Sequence, residues 1–156
     1  LSLKFRPRTE YPSLQAFMQQ QTLDSPSAKQ VFEAVVAIRS SRLPDPTHIP
    51  NCGSFFKNPQ LGHDDLQLLL QNHPDMPYYD DASTGGYKLA AAWLIEQCGF
   101  KQCTAGKVQV HPQHALVVVN PEQASGAEIR KFAGQIVSSV EARFGIALEQ
   151  EPRNYG

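Results

Sequence analysis

A chain of 156 residues, 41% hydrophobic and 19% charged, has enough apolar material for an ordinary domain core without disulfide or metal staples. Its formal net charge of -1 argues against a dominant phosphate-backbone or membrane-surface partner, and no apolar run approaches the ~20 residues that span a bilayer, so neither nucleic acid nor membrane is expected. Cys52, Cys98 and Cys103 make no disulfide framework and lack the spacing of a zinc or redox pair, so no metal site is expected and a cytoplasmic home is simplest.

Leu1 to Phe5 alternates like an amphipathic strand that Pro7 ends, and a short helix is predicted over Ser13–Gln20. The first long helix is predicted over Ser27–Arg42, with Val31, Phe32, Val35 and Ile38 at helical spacing and that face expected in the core. Leu43-Pro44-Asp45-Pro46 stops it, because each proline drives the preceding residue out of the helical region. A strand follows around Gly53, in which Ser54 and Phe56 are expected to face opposite to Phe55 and Lys57. Asp64–Asn72 reads as a helix with Leu66, Leu69 and Leu70 inward, and Tyr78 through Gly86 as a polar loop. A helix is then expected over Tyr87–Cys98, with Gly99 as a left-handed cap. Lys107–His111 alternates as a strand, and Ala115–Val119 is a continuous apolar run suited to a strand buried on both faces. The last helix is predicted over Ala127–Phe144 with Gly145 as its cap, and Ile146–Arg153 as a closing strand. This order implies an α+β fold, helices packed on a mostly antiparallel sheet in a single compact domain. No dinucleotide fingerprint or P-loop occurs.

The stretch Asn51-Cys52-Gly53-Ser54-Phe55-Phe56-Lys57-Asn58-Pro59 sets a hydroxyl, a cation and a carboxamide around one glycine, which allows a close backbone approach to a ligand. Arg39, Arg42, Lys57 and Lys101 sit at element ends and together suggest an anionic ligand with more than one phosphate. Tyr11, Tyr78 and Tyr79 lie in proline-flanked segments where a ring can stack or a hydroxyl can donate. The five histidines show no metal spacing and suit turn packing or hydrogen bonding. Glu149 and Glu151 alternate and so share a face, and a carboxylate beside a serine can orient its hydroxyl or stabilise a positive centre. Ser54 has no triad companions, so a proton donor fits it better than an acyl-transfer nucleophile.

With Arg39-Ser40-Ser41-Arg42-Leu43-Pro44-Asp45-Pro46, the Gly53 stretch, Lys88 to Lys101, His111-Pro112-Gln113-His114-Ala115-Leu116-Val117 and Leu148-Glu149-Gln150-Glu151-Pro152-Arg153 in that order, the chain resembles the C-terminal, substrate-binding domain of the UDP-N-acetylenolpyruvoylglucosamine reductases. The resemblance implies a two-stage reaction: NADPH reduces FAD, and the reduced flavin gives hydride to the enolpyruvyl group of UDP-N-acetylglucosamine enolpyruvate. The resulting enolate must then be stabilised and protonated. By the same resemblance Ser54 matches the proton donor and Glu151 the catalytic glutamate. Tyr11, Arg42, Gly53, Asn58, Tyr79, Lys101, Gln113 and His114 match positions on the UDP-sugar side, with Arg42 and Lys101 as the foremost diphosphate partners.

The chain departs from that pattern at Cys52, where alanine is usual, at Ala92 and Gln102, where glycine is usual, and at Arg42, where lysine is common. A guanidinium in place of an ammonium changes the geometry of an oxyanion contact, and Gln102 puts the turn after Lys101 in question. The opening Leu1 reads as the start of an excised piece. The resemblance places the FAD-binding domain, with a catalytic arginine, outside it, so residues 1–156 alone are expected neither to hold FAD or NADPH nor to turn over. The competing reading is a stand-alone, non-catalytic UDP-sugar-binding module, which an upstream flavin domain in the gene would reject.

Overall fold

The two N-terminal helices form close to the spans expected for them in the computed structural model, which describes residues 8–153; the strand expected over Leu1–Phe5 lies outside that range. Pro12 starts α1 (Pro12–Gln20), its lost N–H costing nothing in a first turn. Ser27 caps α2 (Ala28–Arg42) reciprocally: its side chain accepts from the Gln30 N–H, and Gln30 accepts from the Ser27 N–H at 2.9 Å. Leu43, extended at ψ 135°, ends α2 ahead of Pro44. The expected burial of the apolar face of α2 is corrected. Ala34 is buried and Val31 and Ile38 half-buried, but Phe32, Val35 and Val36 are exposed, because α1 covers only one stripe of its partner.

Contacts divide the chain into two compact units, Leu1–Asp45 and Pro46–Gly156. The second holds β1 (Asn51–Ser54), β2 (Gln60–Leu61), α3 (His63–Asn72), β3 (Tyr78–Asp81), β4 (Gly86–Leu89), α4 (Ala91–Gln97), β5 (Thr104–Ala105), β6 (Val108–Val110), β7 (Val117–Val119) and α5 (Gly126–Phe144). Among the described residues all pairings are antiparallel, in a four-stranded sheet ordered β1-β7-β6-β5 and a three-stranded sheet ordered β2-β4-β3. The α+β class with helices on antiparallel sheets is as the sequence indicates. Phe132, Ala133, Ile136 and Val140 of α5 join Leu94, Ile95, Val108 and Val110 in one buried cluster. A Ser125–Glu128 capping box opens α5, and Gly145 at φ +70° closes it, a conformation that costs glycine least. Val117–Val119 is buried throughout, as its unbroken apolar run indicates.

Several expectations are corrected. The loop over Tyr78–Gly86 is instead a hairpin of β3 and β4, and the helix expected from Tyr87 begins only at Ala91. Its first three residues are strand: Leu89 is fully buried and pairs with Tyr78, while Gly86 lies so close to β2 that an added Cβ would meet the Leu61 carbonyl at 2.7 Å. The closing strand over Ile146–Arg153 is reduced to one bridge, Phe56 with Gln150, beyond which Pro152 cannot donate to a ladder. The alternation across Ser54–Lys57 also fails, since Phe55 and Phe56 are both buried. Asn51 pairs with Val119 and Ser54 with Val117, so β1 carries one residue more than β7 over that interval, and this bulge resets which face each later side chain takes.

Candidate functional site

Gly53 adopts φ +76° in the bulge, and its N–H is held by Asn51 Oδ1 at 2.9 Å. That left-handed position delivers a half-buried Ser54 and then two buried rings, Phe55 and Phe56, with centroids 5.2 Å apart. The tail segment lies antiparallel against this end of the chain. Lys57 N–H donates to the Glu149 carbonyl at 2.9 Å and Glu151 N–H to the Phe55 carbonyl at 3.0 Å. Glu151 is thereby set one residue from Ser54 across the pairing. Partial desolvation raises the Cys52 thiol above its ordinary pKa against a backbone hydrogen bond that lowers it, and the carboxylate of Glu151 adds to the rise.

Beyond this junction opens a cleft of about 790 Å³, lined among others by Lys57, Asn58, Gln60, Lys88, Glu149 and Glu151. Glu149 and Glu151, two residues apart, both reach it. Lys57 Nζ pairs with Glu149 Oε1. The Asn58 carboxamide is partly committed: its Oδ1 accepts the Ala91 N–H at 3.0 Å and so caps α4, whose N-cap position, Ala90, has no side chain to do it. The Asn58 amide nitrogen keeps two donors.

Lys88 and Gln60 are residues that composition and spacing did not single out. Both are held by Asp81, the buried carboxylate at the end of β3. Its Oδ1 accepts from the Ser83 N–H at 3.2 Å and the Ser83 hydroxyl at 2.6 Å. Its Oδ2 accepts from Gln60 Nε2 at 2.8 Å and Thr84 Oγ1 at 3.1 Å, and pairs with Lys88 Nζ at 3.2 Å. The Ser83 bonds first, and then the Lys88 and Thr84 bonds, hold the Asp81 carboxyl well below the usual carboxylate range. The only trace of this in the sequence is Asp81-Ala82-Ser83-Thr84, an Asp followed by hydroxyl residues at turn spacing.

Other expected site residues are spread more widely. Tyr79 pairs across the sheet with Lys88, which in turn pairs with Gln60, so the three share one sheet row beside the cleft. Lys101 pairs with Glu96 at 3.1 Å and does not line the cleft. The turn after Lys101 is made by Gln102 itself, which adopts φ +59° at a cost of ~1 kcal/mol. Gln102→Gly is accordingly expected to raise the denaturant midpoint, by up to about 1 kcal/mol of stability with an unchanged m-value. Gln113 and His114 occupy the turn between β6 and β7, where Gln113 N–H donates to His111 Nδ1 at 3.3 Å and His114 N–H to the His111 carbonyl at 3.2 Å. Tyr11, the exposed N-cap of α1, and Arg42, in the last turn of α2, belong to the first unit. Among the described residues no group of three or more His, Cys, Asp or Glu side chains is arranged to hold a metal ion, and no helix is long and apolar enough to cross a membrane.

A family model described as "UDP-N-acetylenolpyruvoylglucosamine reductase, C-terminal domain" matches residues 45–155. A protein of Xylella fastidiosa (strain 9a5c) bearing that reductase name is 42% identical over 156 residues, all of this chain and 44% of its own length. A reductase of the same name from Chromobacterium violaceum is 44% identical over 97% of this chain and 44% of its own length, and one from Cupriavidus pinatubonensis is 46% identical over 82% and 38%. The chain thus spans less than half the length of these curated relatives. With the matched span running from the loop after α2 through the Ser54 bulge to the Glu151 tail, the chain belongs to the UDP-N-acetylenolpyruvoylglucosamine reductase family, in its C-terminal domain.

Proposed function

We propose that this chain is the substrate-binding part of a cytoplasmic flavoenzyme that reduces UDP-N-acetylglucosamine enolpyruvate to UDP-N-acetylmuramate, in peptidoglycan precursor synthesis. The observation that carries the reading is the backbone pairing of Phe55 with Glu151, which sets Glu151, a residue of the cleft wall, opposite the immediate neighbour of Ser54 although the two are far apart in sequence. In this reading Ser54 donates its hydroxyl proton to the carbon beside the substrate carboxylate. Alkyl hydroxyls are feeble acids in water, but an enolate carbon is strongly basic, and a fixed donor at contact distance supplies much of the advantage. Glu151 orients that hydroxyl or balances charge at the reacting centre. Asn58, with its amide donors free, Tyr79, Gly53, Gln113, His114 and Tyr11 are assigned to the UDP-sugar, and Arg42 and Lys101 to its diphosphate.

Among the described residues no aromatic side chain lines the cleft to stack on a flavin, and the Ala91 N–H at the start of α4 is already taken by Asn58, which supports placing the flavin nucleotide elsewhere. FAD, which supplies hydride when bound, and NADPH are therefore assigned to the remainder of the full-length protein.

Calorimetric titration with UDP-N-acetylglucosamine enolpyruvate tests the reading. Wild-type chain is expected to bind, and an Arg42→Ala, Lys101→Ala double variant to bind at least tenfold more weakly, since each charge-assisted phosphate bond is worth more than ~1 kcal/mol. Equal binding by both would refute the diphosphate assignment. Absence of binding by the wild-type chain would refute a self-sufficient substrate site.

A further inference from the structure

Among the described residues four charged side chains line the cleft, Lys57, Lys88, Glu149 and Glu151, and its two cations are held differently. Lys57 pairs with Glu149, a carboxylate of the same lining, so its charge is offset where a ligand would meet it. Lys88 pairs at 3.2 Å with Asp81, which is buried and stands outside the lining. The counter-charge of Lys88 thus lies behind the ammonium, and two of the three Nζ donors are left for the cleft, where the side chain is 41% exposed. Without Lys88 the lining would hold one cation against two carboxylates, a field hostile to any anion.

Asp81 is fixed well enough to aim that ammonium. Besides meeting Lys88, its oxygens accept from Ser83, Thr84 and Gln60, so the carboxylate cannot turn without breaking several bonds at once. β4 carries Lys88 between Tyr79 of β3 and Gln60 of β2, which puts a phenol, an ammonium and a carboxamide in one row on one face. A lysine stem tethered in advance gives up less rotamer freedom when a ligand arrives. Gln60, the strand partner of Lys88, follows Ser54 by six residues, in a segment held extended against the tail from Phe55 to Lys57. At ~3.3 Å per extended residue the row lies roughly 20 Å along the chain from Ser54. The substrate read for this site is anionic at two places, the carboxylate beside the carbon that Ser54 protonates and the diphosphate on the other side of the sugar. With the carboxylate at Ser54, the anion that comes within reach of Lys88 is the diphosphate. We infer that Lys88 binds the diphosphate of the UDP-sugar and that Asp81 is the positioning residue that fixes its ammonium for that contact. This assignment rests on the substrate reading above and adds to it two residues that carried no role there.

Steady-state kinetics of the full-length protein, with UDP and uridine as competing ligands, tests it. Lys88→Met keeps the stem and loses the charge. It is expected to raise KM for UDP-N-acetylglucosamine enolpyruvate at least tenfold with kcat within threefold, because a contact remote from the reacting carbon is made equally in the ground and transition states. Inhibition by UDP is expected to weaken by a similar factor, and inhibition by uridine, which has no phosphate, to stay unchanged. Asp81→Asn is expected to raise KM about threefold or more by itself and to add nothing on top of Lys88→Met, since it acts through Lys88. A KM for Lys88→Met within twofold of wild type would overturn the phosphate contact. Equal weakening of UDP and uridine would overturn it as well, by showing a site disturbed as a whole. An Asp81→Asn effect that persists in full beside Lys88→Met would overturn the positioning role. A wild-type protein that does not turn over this substrate would refute the proposed function and this inference with it, whereas normal turnover beside an unaltered Lys88→Met refutes the inference alone.

Discussion

Replacing Ser54 by alanine in the full-length reductase is expected to slow turnover by about 10²–10⁴-fold while changing substrate affinity by no more than about threefold. A general acid acts in the transition state, so its loss falls on kcat and leaves ground-state contacts largely intact. Alanine fits the position because Ser54 lies at the end of a bulged strand, where the preceding Gly53 bears the conformational demand, and the paired Val117 backbone does not depend on the hydroxyl. In D₂O the wild-type protein is expected to place deuterium at one face of the carbon next to the carboxylate, and Ser54→Ala to lose that stereochemical control along with the rate. Ser54→Cys, which keeps a dissociable proton at the same place, is expected to recover part of both. A Ser54→Ala enzyme turning over within threefold of wild type would remove Ser54 from the chemistry.

The second large effect falls on stability. Asp81→Ala is expected to lower the melting temperature by roughly 5 °C or more, because a buried acceptor with five polar partners is deleted and those donors lose their bonds together. Asp81→Asn separates charge from shape. It preserves an acceptor toward Ser83 but turns an amide toward Gln60, Thr84 and Lys88. The pH dependence follows from the direction of the shift. A folded-state pKa held below the ordinary 3.8 means that the unfolded chain takes up the proton first as pH falls. The contribution of Asp81 is therefore fully present above about pH 4 and is lost as acid carries the pH down through the folded value. Wild type and Asp81→Asn are expected to differ most near neutrality and to converge below pH 4. A stability gap that stayed constant from pH 7 to pH 3 would show that the depressed carboxyl is not its source. The same variant is expected to loosen Lys88 and Gln60 at the wall of the cleft, since both are tethered by one carboxylate oxygen.

How far these features were legible can be argued from single elements. Helices α2 and α5 are legible from apolar spacing and from the Leu43-Pro44 and Gly145 stops, whereas the Ser27–Gln30 and Ser125–Glu128 boxes that open them, equally local, escaped sequence reasoning. Gly99 likewise closes α4 as read, with the Phe100 N–H returning to the Ile95 carbonyl and the Gly99 N–H to Glu96. The β3–β4 hairpin escaped because Lys88-Leu89 runs without a break into the alanines of α4, and helical spacing extends across a boundary that tertiary pairing makes. Leu89 is strand because Tyr78 and the Pro59 carbonyl hold its backbone, a fact with no local signature.

The sequence by itself determined the family, the α+β class, the limits of every described helix but the start of α4, and the identity of the residues offered for chemistry, since caps, proline stops and motif spacing act over a few bonds of chain. Only the tertiary structure decided which of those residues meet. It set Glu151 opposite Phe55, the neighbour of Ser54, put Asn58 to work capping α4, and gave Lys57 and Lys101 to different carboxylates. It also set Asp81 behind Lys88 and left Phe32 in solvent. Each of these outcomes depends on which distant surface covers a side chain, and that depends on the packing of the chain rather than on neighbours along it.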